Sequence, residues 1–220
     1  MAGLGYKSFT TGEVLTAANL QGYAVDQSVM LFDDAAARTS ALASPSQGMV
    51  SFLDDSGTTW VYYGLYNAST NPGGALAAGW YLEPGSTPFY ATATRVTAAS
   101  VTYAMGAAGF TMTELRDTLG WHSAVTNTDR VTPTVAGFYS FATNANWAGS
   151  ATVHRIRTTK NGTAVGGSLM PTGFSSSLSC TTVVYMNGTT DYYTNDFYND
   201  SGTPTILAQL AVTYLGPASV

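Results

Sequence analysis

Two histidines, one cysteine and two pairs of neighbouring aspartates are the residues with which this chain might be asked to do acid–base, nucleophilic or metal chemistry, and their spacing argues against it. His122 and His154 stand far apart in the chain, and neither has the Cys or His company that a zinc site requires. His154 alternates with Val153 and Arg155 as a strand residue does, and His122 follows Trp121 in a turn. Cys180 has no second cysteine to pair with, so its expected place is a small residue filling a strand face. Asp33-Asp34 and Asp54-Asp55 resemble paired carboxylates, but sequence neighbours point apart and do not flank one substrate bond. The first pair is expected to face solvent near a helix end, the second to make a turn. The glycines of "AVGGS" lack the Lys and the helix that complete a phosphate loop. One cation candidate is left: Asp196 and Asp200, with Asn195 and Asn199, in "TNDFYNDSG", where loop oxygens suit calcium, although the same residues are ordinary turn sequence. No other cofactor and no catalysis is expected.

Composition limits the partners. Only 10% of the residues are charged, against about 25% in ordinary soluble domains, so part of the surface is expected to be covered by copies or partners. The net charge of −5 resides entirely in the first 90 residues, where Lys7 and Arg38 face seven acidic groups, and the remainder balances. Neither part offers the basic stripe interleaved with aromatics that nucleic acid binding needs. No apolar run approaches the roughly 18 residues of a membrane span, and the opening "MAGLGYKSFTTGEV" lacks the basic and then apolar pattern of a secretory signal. Assembly in a cytoplasm is therefore expected, and the sequons at Asn67, Asn161, Asn187 and Asn199 are read as turn chemistry.

The elements that would position any site are mostly strands. From Phe138 to Trp147, Tyr139, Phe141, Ala145 and Trp147 fall on one face and Ser140, Ala142, Asn144 and Asn146 on the other, a period of two with one buried face. Tyr139, Phe141 and Trp147 are the expected core of that region. The apolar pattern of "LTAANLQGYAVDQSVMLFDDAAARTSAL" predicts a single helix over about 16–38, capped by Thr16 and carrying two apolar stripes. "GMVSFLDDSGTTWVYYGLY" predicts a hairpin over about 48–66, apolar on both faces. Residues 67–88, with three of the eight prolines, read as a linker holding one short strand at 80–82. Residues 89–220 read as strands and turns, with hairpin or tight-turn signals at Asn161-Gly162 and Asn187-Gly188. The fold class is mainly β: a sandwich or jelly roll preceded by a helix and a hairpin.

"NTDRVTPTVAGFYSFATNANW", "RIRTTKNGTAV", "VVYMNGTTDYYTNDFYNDSG" and "ILAQLAVTYLG" resemble, in order and spacing, the globular-head jelly roll of complement and tumour necrosis factor relatives. The resemblance covers about 89–218 and implies a ten-strand-type jelly-roll head packed as a homotrimer. Where that family has Gly-Asp, this chain has Gly188-Thr189, so a ligand role tied to that Asp is not carried over. The first 66 residues, "SFTTGEVLTAANLQGYAVDQSVMLFDDAAAR" with "SQGMVSFLDDSGTTWVYYG", are similar to the openings of tail, fibre and minor virion proteins of phages infecting actinobacteria. That likeness implies a virion component whose residues 1–66, through Phe9, Leu15, Leu20, Phe32, Trp60 and Tyr62, anchor it to other virion proteins. Tail-associated attachment to a host-surface glycan is the function expected, with capsid decoration or a head fibre as the alternative. A free lectin fits an anchor less well, and a glycan hydrolase would need two facing carboxylates.

Overall fold

The computed structural model describes residues 10–14, 16–23, 28–64, 78–149, 153–171 and 176–217. The chain divides into two compact units, Met1–Glu83 with Pro217–Val220, and Pro84–Gly216.

Among the described residues, the first unit is a small four-stranded sheet with two short helices. Helix α1 spans Ala17–Tyr23, with the Asn19 N–H donating to the Thr16 hydroxyl at 3.1 Å. The single helix expected over about 16–38 does not form. Strand β1, Val29–Phe32, interrupts it, and helix α2, Ala35–Ala41, starts afresh from Asp34 in an extended conformation, whose carboxylate accepts from the Ala37 N–H at 2.7 Å. The physical reason lies in the pairing. β1 runs parallel to β2, Val50–Leu53, and its side chains alternate, Val29 and Leu31 exposed, Met30 and Phe32 half-buried. A period of two was hidden in a run apolar at nearly every position.

β2 pairs antiparallel with β3, Thr58–Tyr63, across a turn at 54–57 that contains Asp54 and Asp55. A fourth strand, β4 at Gly79–Leu82, pairs with β3. The end of the segment read as a linker is thus part of this sheet, because Tyr62 and Trp80 meet edge to face at 5.4 Å and Tyr63 and Tyr81 at 5.7 Å. The rest of that segment through residue 77 lies outside the described residues. Arg38 of α2 is 5% exposed. Its guanidinium lies 4.5 Å from the Trp80 ring centre and 5.2 Å from that of Trp60, and Nη1 donates to the Ser51 hydroxyl at 3.3 Å. Burial lowers its pKa, partly opposed by Asp55. An arginine held between two indoles closes this sheet where a core of aliphatic residues would otherwise be needed.

The second unit is a jelly-roll sandwich. Its strands are β5 Phe89–Val96, β6 Val101–Ala104, β7 Met112–Asp117, β8 Gly137–Ala148, β9 Val153–Lys160, β10 Thr163–Pro171, β11 Ser176–Met186, β12 Tyr193–Asn199 and β13 Thr205–Gly216. One sheet has the order β10-β9-β12-β6 and the other β11-β8-β13-β5-β7, with single bridges from Val131 to His122 and Tyr193. Asn161 and Gly162, both at positive φ, make the β9–β10 turn. Alternation sends one face of each strand inward: Ile206, Ala208, Leu210, Val212 and Tyr214 of β13 are all at most 2% exposed. Tyr139, Phe141 and Trp147 of β8 are 0, 0 and 1% exposed. Phe141 stacks on Tyr193 at 3.8 Å, Tyr139 meets Tyr214 at 5.2 Å and Trp121 at 5.4 Å, and Phe110 meets Phe197 at 5.4 Å. Nine of the 27 aromatic residues of the sequence are buried in this core.

Candidate interaction surface

The residues with chemical potential are placed by the fold as structural groups. His122 is 2% exposed at its side chain; its Nδ1 meets the Glu114 carboxylate and its Nε2 the Thr128 carbonyl at 2.8 Å. The Asp117 carboxylate accepts from the backbone N–H groups of Trp121 and His122 at 2.8 and 3.0 Å. Both acids therefore tie down the segment after β7. Cys180 is buried on β11, its sulfur 3.7 Å from the Thr182 hydroxyl. Asp34 caps α2, and Asp54 and Asp55 occupy their turn.

Asp196 and Asp200 are not brought together. Asp196 lies within β12 and Asp200 just beyond its end, and each carboxylate is taken up by its own partner. The Asp196 carboxylate instead accepts from Arg157 Nε at 2.9 Å and from its Nη2, and Asp200 accepts from the Val153 N–H at 2.9 Å. Asn195 and Asn199 are buried, Asn195 bonded to the Thr143 hydroxyl at 2.9 Å. Among the described residues no cluster of His, Cys, Asp or Glu has the makings of a metal site. Nor is any described helix long and apolar enough to cross a membrane. Of the residues assigned to anchoring, Leu20 is exposed and Phe32, Trp60 and Tyr62 are half-buried, while Phe9 and Leu15 lie outside the described residues.

His154 is fully buried on β9, stacked on Trp147 with 4.9 Å between ring centres. Burial lowers its pKa, and the Asp200 carboxylate only partly opposes this. Below the ordinary histidine value of about 6.5, the unfolded chain takes up a proton that the folded head refuses. Stability should therefore fall as pH drops from about 6.5 toward the lower folded-state value. Asp191 does not confuse this window. Burial would raise its pKa, but bonds from Lys160, Asn161 and the Asn187 N–H outweigh it and hold it below the usual range, so its contribution is lost only in stronger acid. Thermal melts at pH 7.5 and 5.5 are expected to differ clearly in the native chain and little in His154→Phe, which keeps the stacking ring. An equal acid loss in both proteins would assign the sensitivity elsewhere.

The surface that stands out is the outward face of the five-stranded sheet. Its rows run Val183–Ser140–Thr213, then Thr181–Ala142–Ala211–Tyr90, then Ser179–Asn144–Gln209–Thr92 across β11, β8, β13 and β5. Phe138 and Tyr185 extend it as an edge-to-face pair at 5.8 Å, 44 and 38% exposed. No outward position on these four strands carries a charge; the charges at its margins are Arg116 on β7, paired opposite Tyr90, and Lys160, whose ammonium donates to the Tyr185 carbonyl at 2.7 Å and lies 5.5 Å from the centre of its ring. The solvent face of an antiparallel sheet is ordinarily polar, and the lack of charge here was legible in the sequence in the second set of alternating residues of β8, Ser140, Ala142, Asn144 and Asn146. Arg38 and the Arg157–Asp196 pair carried no such local signal.

No family model matches the chain, and no curated protein matches it. Among solved structures, it is similar to the globular domain of zebrafish complement 1qA protein, at 16% identity over 60% of this chain and 99% of that one, with a TM-score of 0.42. It is also similar to the PRD1 vertex protein P5, at 12% identity over 59% and 99%, with a TM-score of 0.45. The Eiger TNF structure from S. frugiperda gives 11% identity over 60% and 96%, with a TM-score of 0.41. The jelly-roll assignment stands on the sheets described above.

Proposed function

We propose that this chain is a virion structural protein, without catalytic activity, whose jelly-roll head assembles as a homotrimer and meets the host surface. The observation that carries the reading is the uncharged outward face of the five-stranded sheet. About ten residues long and four strands wide, it measures roughly 30 by 19 Å, or about 600 Å², on the scale of the ~800 Å² per partner of a stable interface. Covering it buries no unpaired ion, since Lys160 beside Tyr185 is already held by Asp191 at 2.8 Å, and it removes Phe138, Val183 and Tyr185 from water at roughly 25 cal/mol per Å². A second copy is the occupant, meeting this face with a different part of its own head as three-fold symmetry requires; three around an axis is the number implied by the resemblance of residues 89–218 to complement-type heads. The likeness of residues 1–66 to phage tail and fibre openings supports the virion setting, with the first unit meeting other virion proteins and tail-associated attachment as its role.

Light scattering of the full chain at low micromolar concentration should report three times 23.0 kDa; a stable monomer or dimer would overturn the assembly. Excess free protein should slow adsorption of the phage by occupying its receptor. Unchanged adsorption, with particles lacking the protein losing stability, would replace attachment by capsid decoration.

A further inference from the structure

The outward face of the four-stranded sheet differs in chemistry from that of its partner sheet. Register places Leu169, Arg155 and Tyr198 in one row across β10, β9 and β12, and Gly167, Arg157 and Asp196 in the next. The guanidinium of Arg155 lies over the Tyr198 ring, 4.7 Å from its centre. Stacking holds the cation in place without using its N–H groups, and among the described residues none of them meets a hydrogen-bond acceptor. Arg157 gives Nε and Nη2 to Asp196, and its Nη1 takes no part in that pair. Opposite Arg157, a Cβ on Gly167 would come within 2.8 Å of the Ile156 carbonyl oxygen, so the backbone there excludes any side chain. The result is a hollow of about 200 Å³, with Arg155 and Arg157 along one side and Leu169, 59% exposed, along another.

A pre-positioned planar cation with unused donors, beside an apolar wall, has the chemistry of an oxyanion borne on a carbon framework. Guanidinium binds carboxylate and phosphate oxygens in pairs, and Leu169 gives the C–H face of a sugar or a glycerol unit something to lie against. We propose that this hollow binds the carboxylate or phosphodiester groups of a repeating surface polymer. Asp196 offsets much of the charge of Arg157, so Arg155 carries most of the attraction and each site is weak alone. Three copies on one head would engage a repeating anion together. The proposal names a ligand class for the host-surface binding above and rests on that reading only for where the polymer comes from.

The test uses the full chain at low salt with three probes: polygalacturonate for carboxylate, poly(glycerol phosphate) for phosphodiester and dextran as the neutral polymer. Calorimetry should detect binding to one or both anionic polymers and none to dextran, and the one preferred identifies the source of the oxyanion. Raising the salt to about 0.5 M should weaken binding by tenfold or more, because exposed charges are then screened within a few ångströms. Arg155→Gln should cost at least tenfold. Leu169→Glu, an exposed change that sets a competing carboxylate in the hollow, should abolish binding with melting unchanged, while Leu169→Ala should stay within about threefold. Binding to neither anionic polymer, or equal binding by Arg155→Gln and Leu169→Glu, overturns the proposal. If those two variants block phage adsorption as well as the native chain does, the hollow is wrong and attachment stands. If the native chain binds through the hollow yet leaves adsorption unchanged, the hollow stands and attachment falls.

Discussion

Replacing Phe141 by alanine is expected to destabilise the head by about 3–5 kcal/mol, the usual cost of removing a large buried aromatic. The ring is fully buried at the middle of β8, stacked nearly parallel on Tyr193 at 3.8 Å and 6.1 Å from Tyr139. Its removal leaves a cavity against a layer that is partly polar, where Thr158 and Thr182 share a hydroxyl bond at 3.1 Å and Thr143 donates to Asn195. Those groups hold their geometry because packed rings leave them no alternative; Tyr193 itself is buried enough for its phenol pKa to be pushed up to about 12. Since a domain has only about 5–15 kcal/mol in total, the variant should melt far below the native chain or fail to accumulate in soluble form. Phe141→Leu should lose much less. If Phe141→Ala melted as the native chain does, Phe141 would not be a core residue.

One position along the same strand, a substitution should leave the fold alone and break the assembly. Ala142 points to the uncharged face, in the row of Thr181, Ala211 and Tyr90. In a monomer, Ala142→Glu is a surface change worth about half a kcal/mol at most. In the proposed homotrimer it buries a carboxylate on every copy with no cation to meet it, and removing a charge from water costs several kcal/mol per ion. The variant should scatter light as a 23.0 kDa monomer with a native strand signature. A trimer of native stability from Ala142→Glu would rule this face out as the interface.

These two neighbouring positions also show what the sequence made legible. The alternation of β8 separates Phe141 from Ala142 with no outside information, because a pleated strand turns successive residues to opposite sides. The Asn161-Gly162 turn was equally plain, since it needs two consecutive positive φ values. Residues 29–32 were not: when nearly every position is apolar, helical and strand periods fit equally well, and only parallel pairing with Val50–Leu53 decides. β6 and β10, the two edges of the four-stranded sheet, carry weak strand patterns for another reason. One is four residues long, and the other contains Gly166, Gly167 and Pro171, which depress strand propensity. The cation candidate failed because the partner of Asp196 lies 39 residues away at Arg157, a distance over which sequence spacing says nothing.

The placement of β13 sets the order in which the head can be built. It lies in the middle of the five-stranded sheet, hydrogen-bonded to β8 on one side and β5 on the other, yet it follows every other described strand in the chain. Phe89 pairs with Val212, which closes a loop of more than a hundred residues. During synthesis β8 and β11, or β9 and β10, can join as antiparallel neighbours, but the sheet cannot be completed until residue 216 has left the ribosome. Pairing so remote in sequence is slow, and until it occurs the nascent head displays both its aromatic core side and its uncharged outer side. Incomplete chains therefore carry the hazard of sticking to one another, and copies can combine in the proper register only once β13 is in place. The first unit, whose strands pair within Val29–Leu82, is free to fold well before that moment.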